Sequence, residues 1–248
     1  MSSPSTQAYS AKAREGGRTA ALTRARYEAN QMTTVHSVPN RCDLWGDARY
    51  PGNCDGTLIK NLILRYDPRS VADPMEGSGT MRHVVAWLNE QFGLGISYWG
   101  GDLRSGFNLL KRPLPGRYDF VFLHPPAWDI IQYSDHGADL SGTRDYTLYL
   151  TRLRRCLARC AEAVNPGGRL AVLVSDVRKD HRLYPISRDV MNLDGDLGEL
   201  TSVIAKVQHN CRSDGKHYET MREPRIRHEC CVVFRKPLTR ERWRPAEG

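Results

Sequence analysis

From residue 57 onward the chain alternates between short apolar runs and longer amphipathic stretches, joined by brief turns rich in glycine and proline. No other feature restricts the fold as strongly. Thr57–Tyr66 carries Leu58, Ile59, Leu62 and Ile63 at helical spacing. Ser70–Ala72 reads as a strand running into Asp73-Pro74-Met75-Glu76-Gly77-Ser78-Gly79-Thr80, with a helix over Met81–Phe92. Ile96–Trp99 is the next strand and ends at Gly100-Gly101-Asp102. Asp119–Leu123 is a third, ending at His124-Pro125-Pro126-Ala127-Trp128. Tyr146–Val164 is a long amphipathic helix, stopped by Asn165-Pro166-Gly167-Gly168 and followed by a buried strand over Arg169–Ser175. Val203–Gln208 and Cys230–Phe234 are the last strands. Strands and helices alternating on short joints predict an α/β fold with a doubly wound, mostly parallel sheet. Ligands in such sheets bind outside the carboxyl ends of the strands. The turns after Ala72, Trp99, Leu123 and Ser175 all fall there, and they are the chemically richest parts of the chain.

Composition narrows the class further. Of 248 residues, 40% are hydrophobic and 26% charged, enough apolar material for a sizeable core and too much for a wholly disordered chain. No apolar run approaches the roughly 20 residues of a membrane helix, and the Ser/Thr/Arg-rich N-terminus lacks the apolar stretch of a secretory signal. The seven cysteines (Cys42, Cys54, Cys156, Cys160, Cys211, Cys230 and Cys231) are odd in number and form no Cys-x-x-Cys pair. No metal site is therefore expected, and a reducing cytoplasm is the expected location. Cys156 and Cys160 share a helix face as packed thiols. Basic residues outnumber acidic ones 36 to 28, for a net charge of +8. That excess suits a polyanionic partner such as nucleic acid, although arginine-rich usage alone gives the same bias. Residues 1–40, with Lys12, Arg14, Arg18, Arg24 and Arg26, are expected to form a basic arm, mobile or partly helical. Residues 41–240 form the folded domain and 241–248 a basic tail.

The turn at 73–80 joins a strand to a helix. Gly77 and Gly79 let the backbone turn tightly and approach a ligand, and the helix start presents N–H groups. It is neither a phosphate loop nor the GxGxxG fingerprint. As a whole it resembles the Asp-Pro-Phe-x-Gly-Ser-Gly-Thr loop of S-adenosylmethionine-dependent DNA amino-methyltransferases, with Met75 in the Phe place. The resemblance implies a Rossmann-like, seven-stranded class I methyltransferase domain and a cofactor cradled by Asp73, Pro74, Met75, Gly77, Ser78, Gly79 and Thr80. It further implies that Asp102 holds the ribose hydroxyls and that Phe107 lines the adenine pocket; taken alone, the two are a turn aspartate and a core phenylalanine. Tyr50-Pro51-Gly52-Asn53-Cys54 is similar to the family's N-terminal closing motif, which adds Asn53 to the cofactor set.

His124-Pro125-Pro126-Ala127-Trp128 stands where that family carries Asp, Asn or Ser, then Pro-Pro, then Tyr, Phe or Trp. An exocyclic amino nitrogen is a poor nucleophile because its lone pair is delocalised into the ring. Two acceptors taking its N–H hydrogens favour a pyramidal nitrogen that can attack a methyl group. The first residue supplies a side-chain acceptor and the first proline a carbonyl, on a loop stiffened by fixed φ. The aromatic residue stacks on a base flipped from the helix. Two departures stand out. A neutral imidazole at His124 offers one acceptor nitrogen, and only while unprotonated, which implies lost activity at acidic pH. Ala127 occupies the stacking position, with Trp128 one place later. Trp128 takes over the platform, the site is weakened, or the alanine is a substitution for tyrosine. Further polar candidates are Tyr133 and Ser134, then His209, Asn210 and Arg212, as nucleic-acid contacts; each also fits an ordinary loop. Asp129 and Asp176 are weaker candidates, the latter as an ion-paired structural residue. The resemblance implies methylation of N4 of cytosine or N6 of adenine in DNA, duplex with a flipped base, by a monomer or homodimer; the alternatives are an RNA methyltransferase on the same fold and a catalytically weak nucleic-acid-binding protein.

Overall fold

The structure is a computed structural model and describes residues 6–211 and 222–238. Chain order is α1 (Thr6–Asn30), β1 (Val35–His36), α2 (Gly56–Tyr66), β2 (Ser70–Asp73), α3 (Thr80–Phe92), β3 (Ser97–Gly100) and β4 (Tyr118–Leu123). A single 3-10 turn (Leu140–Gly142) precedes α4 (Tyr146–Ala163), β5 (Val164–Val174), β6 (Val177–Lys179), β7 (Arg182–Tyr184), α5 (Ile186–Met191), β8 (Glu199–Val207) and β9 (His228–Arg235). Local chemistry sets the helix ends. The Asp55 side chain accepts from Thr57 N–H at 2.7 Å to open α2, and Asp145 accepts from Leu148 N–H at 2.6 Å to open α4. α3 runs between left-handed caps at Gly79 and Gly93.

The main sheet has seven strands in the order β1-β8-β9-β5-β4-β2-β3. Only β9 runs against its neighbours, so the doubly wound, mostly parallel sheet expected from the sequence is present. Its central strands are buried on both faces, which explains their continuous apolar runs. Phe120 and Phe122 point toward α2 and α3, whereas Val121 and Leu123 face the α4 side. Cys156 and Cys160 are both fully buried on α4. Among the described residues no helix is long and apolar enough to cross a membrane.

Three differences from the sequence reading have physical causes. The boundary expected at residue 40 falls inside the folded unit. Ala29 is fully buried, Leu22, Ala25 and Met32 pack on the α2–α3 side, Arg65 Nη1 donates to the Asn30 carbonyl at 3.1 Å, and β1 extends the sheet beside β8. The intervening arginines mask that apolar spacing in the sequence. The tail at 241–248 lies outside the described residues. β5 begins directly after α4, because Asn165–Gly168 is absorbed as a register shift against β4 instead of a separate turn; Asn165 Nδ2 donates to Asp119 at 2.8 Å. Finally, residues 176–191 form the β6–β7 hairpin and α5. Asp180 and His181 both take positive φ at its two-residue turn, and Asp176 accepts from the Ser187 N–H and hydroxyl.

Candidate active site

A cavity opens at the carboxyl ends of β2, β3 and β4. On one side stands the β2–α3 loop. Gly77 at φ 53° lies so close to the Tyr50 ring that a Cβ there would come within 3.3 Å of it. Asp73 is only 5% exposed and accepts from the Met75 N–H at 3.2 Å. Burial pushes its carboxyl up to about 8, and the negative charges of Glu76 and Asp102 add to that rise. Glu76 is itself engaged by the Tyr98 hydroxyl at 2.6 Å and by Arg82. Thr80 donates to Asn53 Oδ1 at 2.5 Å, and Asn53 Nδ2 donates to the Asp47 carbonyl at 2.6 Å, tying the preceding segment to the loop. Asp102 accepts from the N–H groups of Arg104 and Ser105 at 2.8 and 3.0 Å and pairs with the Arg104 guanidinium at 3.2 Å. Arg104 also lies 5.0 Å over the Tyr50 ring. Phe107 packs edge-on to Trp99 at 4.8 Å. The structure thus brings Asn53, Asp73, Pro74, Met75, Gly77, Ser78, Thr80, Asp102 and Phe107 to one cavity. Gly79 serves as the α3 cap.

His124, Pro125 and Pro126 line the same cavity from the end of β4. Among the described residues none donates to the Pro125 carbonyl, whereas the Pro126 carbonyl takes the Tyr149 hydroxyl at 2.8 Å and the Trp128 N–H at 2.9 Å. His124 Nε2 sits 3.3 Å from Glu229 Oε1. Glu229 also accepts from Lys206 Nζ at 2.6 Å and from the Ser175 hydroxyl at 2.9 Å. Burial opposes the charge on Glu229, but Lys206 and His124 beside it outweigh burial and hold the carboxyl well below its ordinary range. Burial likewise opposes the charge on Lys206, yet Cys54 and Glu229 hold it above its ordinary range. The Cys54 thiol is pushed up to about 12 by burial and so is neutral near pH 7, which leaves Glu229 as the counter-charge. Sequence reasoning missed Glu229, Lys206 and Ser175. The available signal was a lone carboxylate beside the apolar run Cys230–Phe234 and a lone lysine in the run Val203–Val207.

Trp128 is not a stacking platform. It is 4% exposed, its Nε1–H donates to the Thr143 carbonyl at 2.8 Å, and Tyr146 and Tyr184 enclose its ring at 5.2 and 4.7 Å. The hairpin that brings Tyr184 was invisible to local sequence reading. Ala127 packs against the same core and does not line the cavity. Tyr50 and Tyr133, stacked at 5.8 Å and 24°, line the cavity instead, together with Phe107 and Phe122. Ser134 lines it too, donating to Asp139 at 2.7 Å. Asp129 is paired with Lys179. His209 and Asn210 do not reach the cavity: His209 bonds Ser37 at 3.0 Å and Asn210 donates to the Pro39 carbonyl at 3.4 Å. Arg212 lies outside the described residues.

No family model matches the chain, and no curated protein does. Solved structures resemble it loosely. One is a provisionally assigned DNA modification methylase of Thermus thermophilus complexed with S-adenosyl-L-methionine, at 22% identity over 56% of this chain and 54% of that one, TM-score 0.37. Another is a provisionally assigned RNA methyltransferase of Pyrococcus horikoshii, at 14% identity over 87% and 98%, TM-score 0.39. A third is the N-methyltransferase NodS of Bradyrhizobium japonicum with S-adenosyl-L-homocysteine, at 9% identity over 77% and 90%, TM-score 0.39. The chain spans about half the length of the Thermus methylase. At these TM-scores the likenesses assign neither reaction nor substrate.

Proposed function

We propose that the chain is an S-adenosylmethionine-dependent methyltransferase acting on an exocyclic amino nitrogen of a flipped base in DNA, N4 of cytosine or N6 of adenine. One observation carries this reading. A single cavity is lined both by the glycine loop with Asp102 and by His124-Pro125-Pro126. The residues present fit the cofactor. Among the described residues Asp73 is a buried carboxyl with no cation beside it, suited to a positively charged ligand. Leu103, Phe107 and Leu110 offer an apolar slot. Asp102 has three of a carboxylate's roughly four acceptor sites taken by Arg104 and Ser105 and keeps about one for a hydroxyl donor. The start of α3 presents N–H groups to a carboxylate. When bound, the cofactor supplies a methyl group on a positively charged sulfur.

The chain's own residues then hold the acceptor. His124 and the unoccupied Pro125 carbonyl take the two amino hydrogens, leaving the nitrogen lone pair free to attack. Fixing the reactants on so stiff a loop is worth several kcal/mol. Tyr133, beside Tyr50, provides the aromatic surface that Ala127 lacks, and the +8 charge favours a polyanionic substrate. Ala127 also favours a second reading, a nucleic-acid-binding protein with little turnover. The test incubates the chain, and an Ala127→Tyr version, with isotopically labelled methyl donor and duplex DNA, single-stranded DNA or RNA, followed by digestion and mass analysis of the nucleosides. Methylated cytosine or adenine from duplex DNA is expected. Product only on RNA, or none from either version, would overturn the proposal; product only from the Ala127→Tyr version would support the second reading.

A further inference from the structure

We infer that Glu229 is a positioning residue that fixes the tautomer of His124, so that Nδ1 is the nitrogen left to accept a substrate hydrogen. This rests on the role proposed above for His124. An Asp, Asn or Ser at this position always presents an acceptor oxygen, whereas a neutral imidazole presents either nitrogen depending on where its proton sits. The choice is made by whatever the other nitrogen meets.

Here it meets a carboxylate already committed to accepting. Four neighbouring strands contribute one residue each: His124 follows β4, Ser175 follows β5, Glu229 lies in β9, and Lys206 is its register partner in β8. Lys206 Nζ donates to one carboxylate oxygen at 2.6 Å, and the Ser175 hydroxyl donates to the other at 2.9 Å. The Lys206 and Glu229 side chains are 12% and 8% exposed, so water competes little. An ionised carboxylate has no hydrogen to give. Nε2 lies 3.3 Å away, at ion-pair distance, so the tautomer with the proton on Nε2 is the favoured one, and Nδ1 keeps the lone pair. The arrangement restores, through a second residue, the acceptor that a histidine alone would supply only part of the time.

The tautomer is read directly in cofactor-free protein labelled with ¹⁵N-histidine, using two-bond ¹⁵N–¹H correlations at pH 8, with His124→Asn to assign the signal. The expected signature is Nε2–H. In Glu229→Gln, Lys206 retains the amide oxygen and turns the amide NH₂ toward the ring. Nε2 then has to accept, and the signature inverts to Nδ1–H. Transfer falls at least ~100-fold in that variant, as when a histidine is held in the wrong tautomer, while the dissociation constant for the methyl donor changes less than about threefold. Placed in a His124→Asn background, Glu229→Gln costs less than about threefold, because an amide oxygen needs no tautomer. An Nδ1–H signature in the native chain, an unchanged signature in Glu229→Gln, or an equal loss in both backgrounds overturns the inference. The native-chain signature decides the matter even if Glu229→Gln does not fold. A native chain that methylates no nucleic acid defeats the proposed function, yet the tautomer measurement still decides this inference.

Discussion

Asp73 and Glu229 are both buried carboxyls, 5% and 7% exposed, at the same end of the same sheet, yet their electrostatics are opposite. Glu229 has Lys206 at 2.6 Å and stays ionised. Asp73 has no cation beside it among the described residues, sits near Glu76 and Asp102, and holds its proton up to about pH 8. Burial raises both; a fixed counter-charge decides the outcome. A carboxylate whose partner is built in serves as a rigid element, here behind His124. A carboxyl without a partner is a place where a cationic ligand gains by arriving. On the proposed function, the cavity joins a completed half, which would hold the acceptor residue, to a half that a bound cofactor would complete.

Removing the built-in partner should have the largest effect. Lys206→Met leaves the Glu229 carboxylate buried and unpaired, and denaturant unfolding at pH 8 should show a loss of about 3–5 kcal/mol. Glu229 is then raised above its unfolded value, so the variant recovers part of that loss as pH falls and its carboxyl protonates. A loss under about 1 kcal/mol would mean the pair is not the fixed element described.

Asp73→Asn should act in the opposite direction. The folded carboxyl binds its proton more tightly than the unfolded one. Stability is therefore full below the ordinary carboxylate range and falls as pH rises toward about 8. A carboxyl kept neutral that far opposes its own ionisation by at most about 6 kcal/mol, which relaxation and water entry reduce. Unfolding at pH 9 should find Asp73→Asn about 2–3 kcal/mol more stable than the native chain, with no difference at pH 4. A destabilised variant at pH 9 would show that Asp73 already has a partner.

The two aromatic positions sharpen the contrast on a smaller scale. Tyr133→Ala should weaken substrate binding by about 1–2 kcal/mol, seen as a raised KM for nucleic acid with little change in cofactor affinity. Trp128→Phe should cost about 1 kcal/mol of stability, because the buried Thr143 carbonyl loses its donor, and leave KM within twofold. The reverse pattern would return Trp128 to the substrate surface.

These differences track what could be read in the sequence. The half of the cavity proposed to hold the cofactor could be placed from the sequence because its parts are contiguous: a strand, eight loop residues and a helix, with Asp102 just beyond the next strand. The alternation of apolar runs likewise marked β2, β3, β4, β5, β8 and β9, to within a few residues at their ends. The acceptor half was only partly legible. His124-Pro125-Pro126 is local, but Glu229, Lys206 and Ser175 meet it through the order of four strands, which no spacing reveals. Trp128 misled for the same reason, since the ring that buries it, Tyr184, arrives on a hairpin more than fifty residues later. The second half of α1 was hidden by charge, its apolar stripe being interleaved with arginines.

The central claim, that the uncompensated half of the cavity receives a positively charged methyl donor, is tested most directly by calorimetric titration with S-adenosylmethionine. Titrations at pH 7 in two buffers of different ionisation enthalpy, on the native chain and on Asp73→Asn, would count protons exchanged. Binding to the native chain should release close to one proton and should tighten as pH rises toward about 8. Asp73→Asn should bind at least tenfold more weakly and release none. No binding by the native chain, or equal affinity and proton count in the two proteins, would contradict the account.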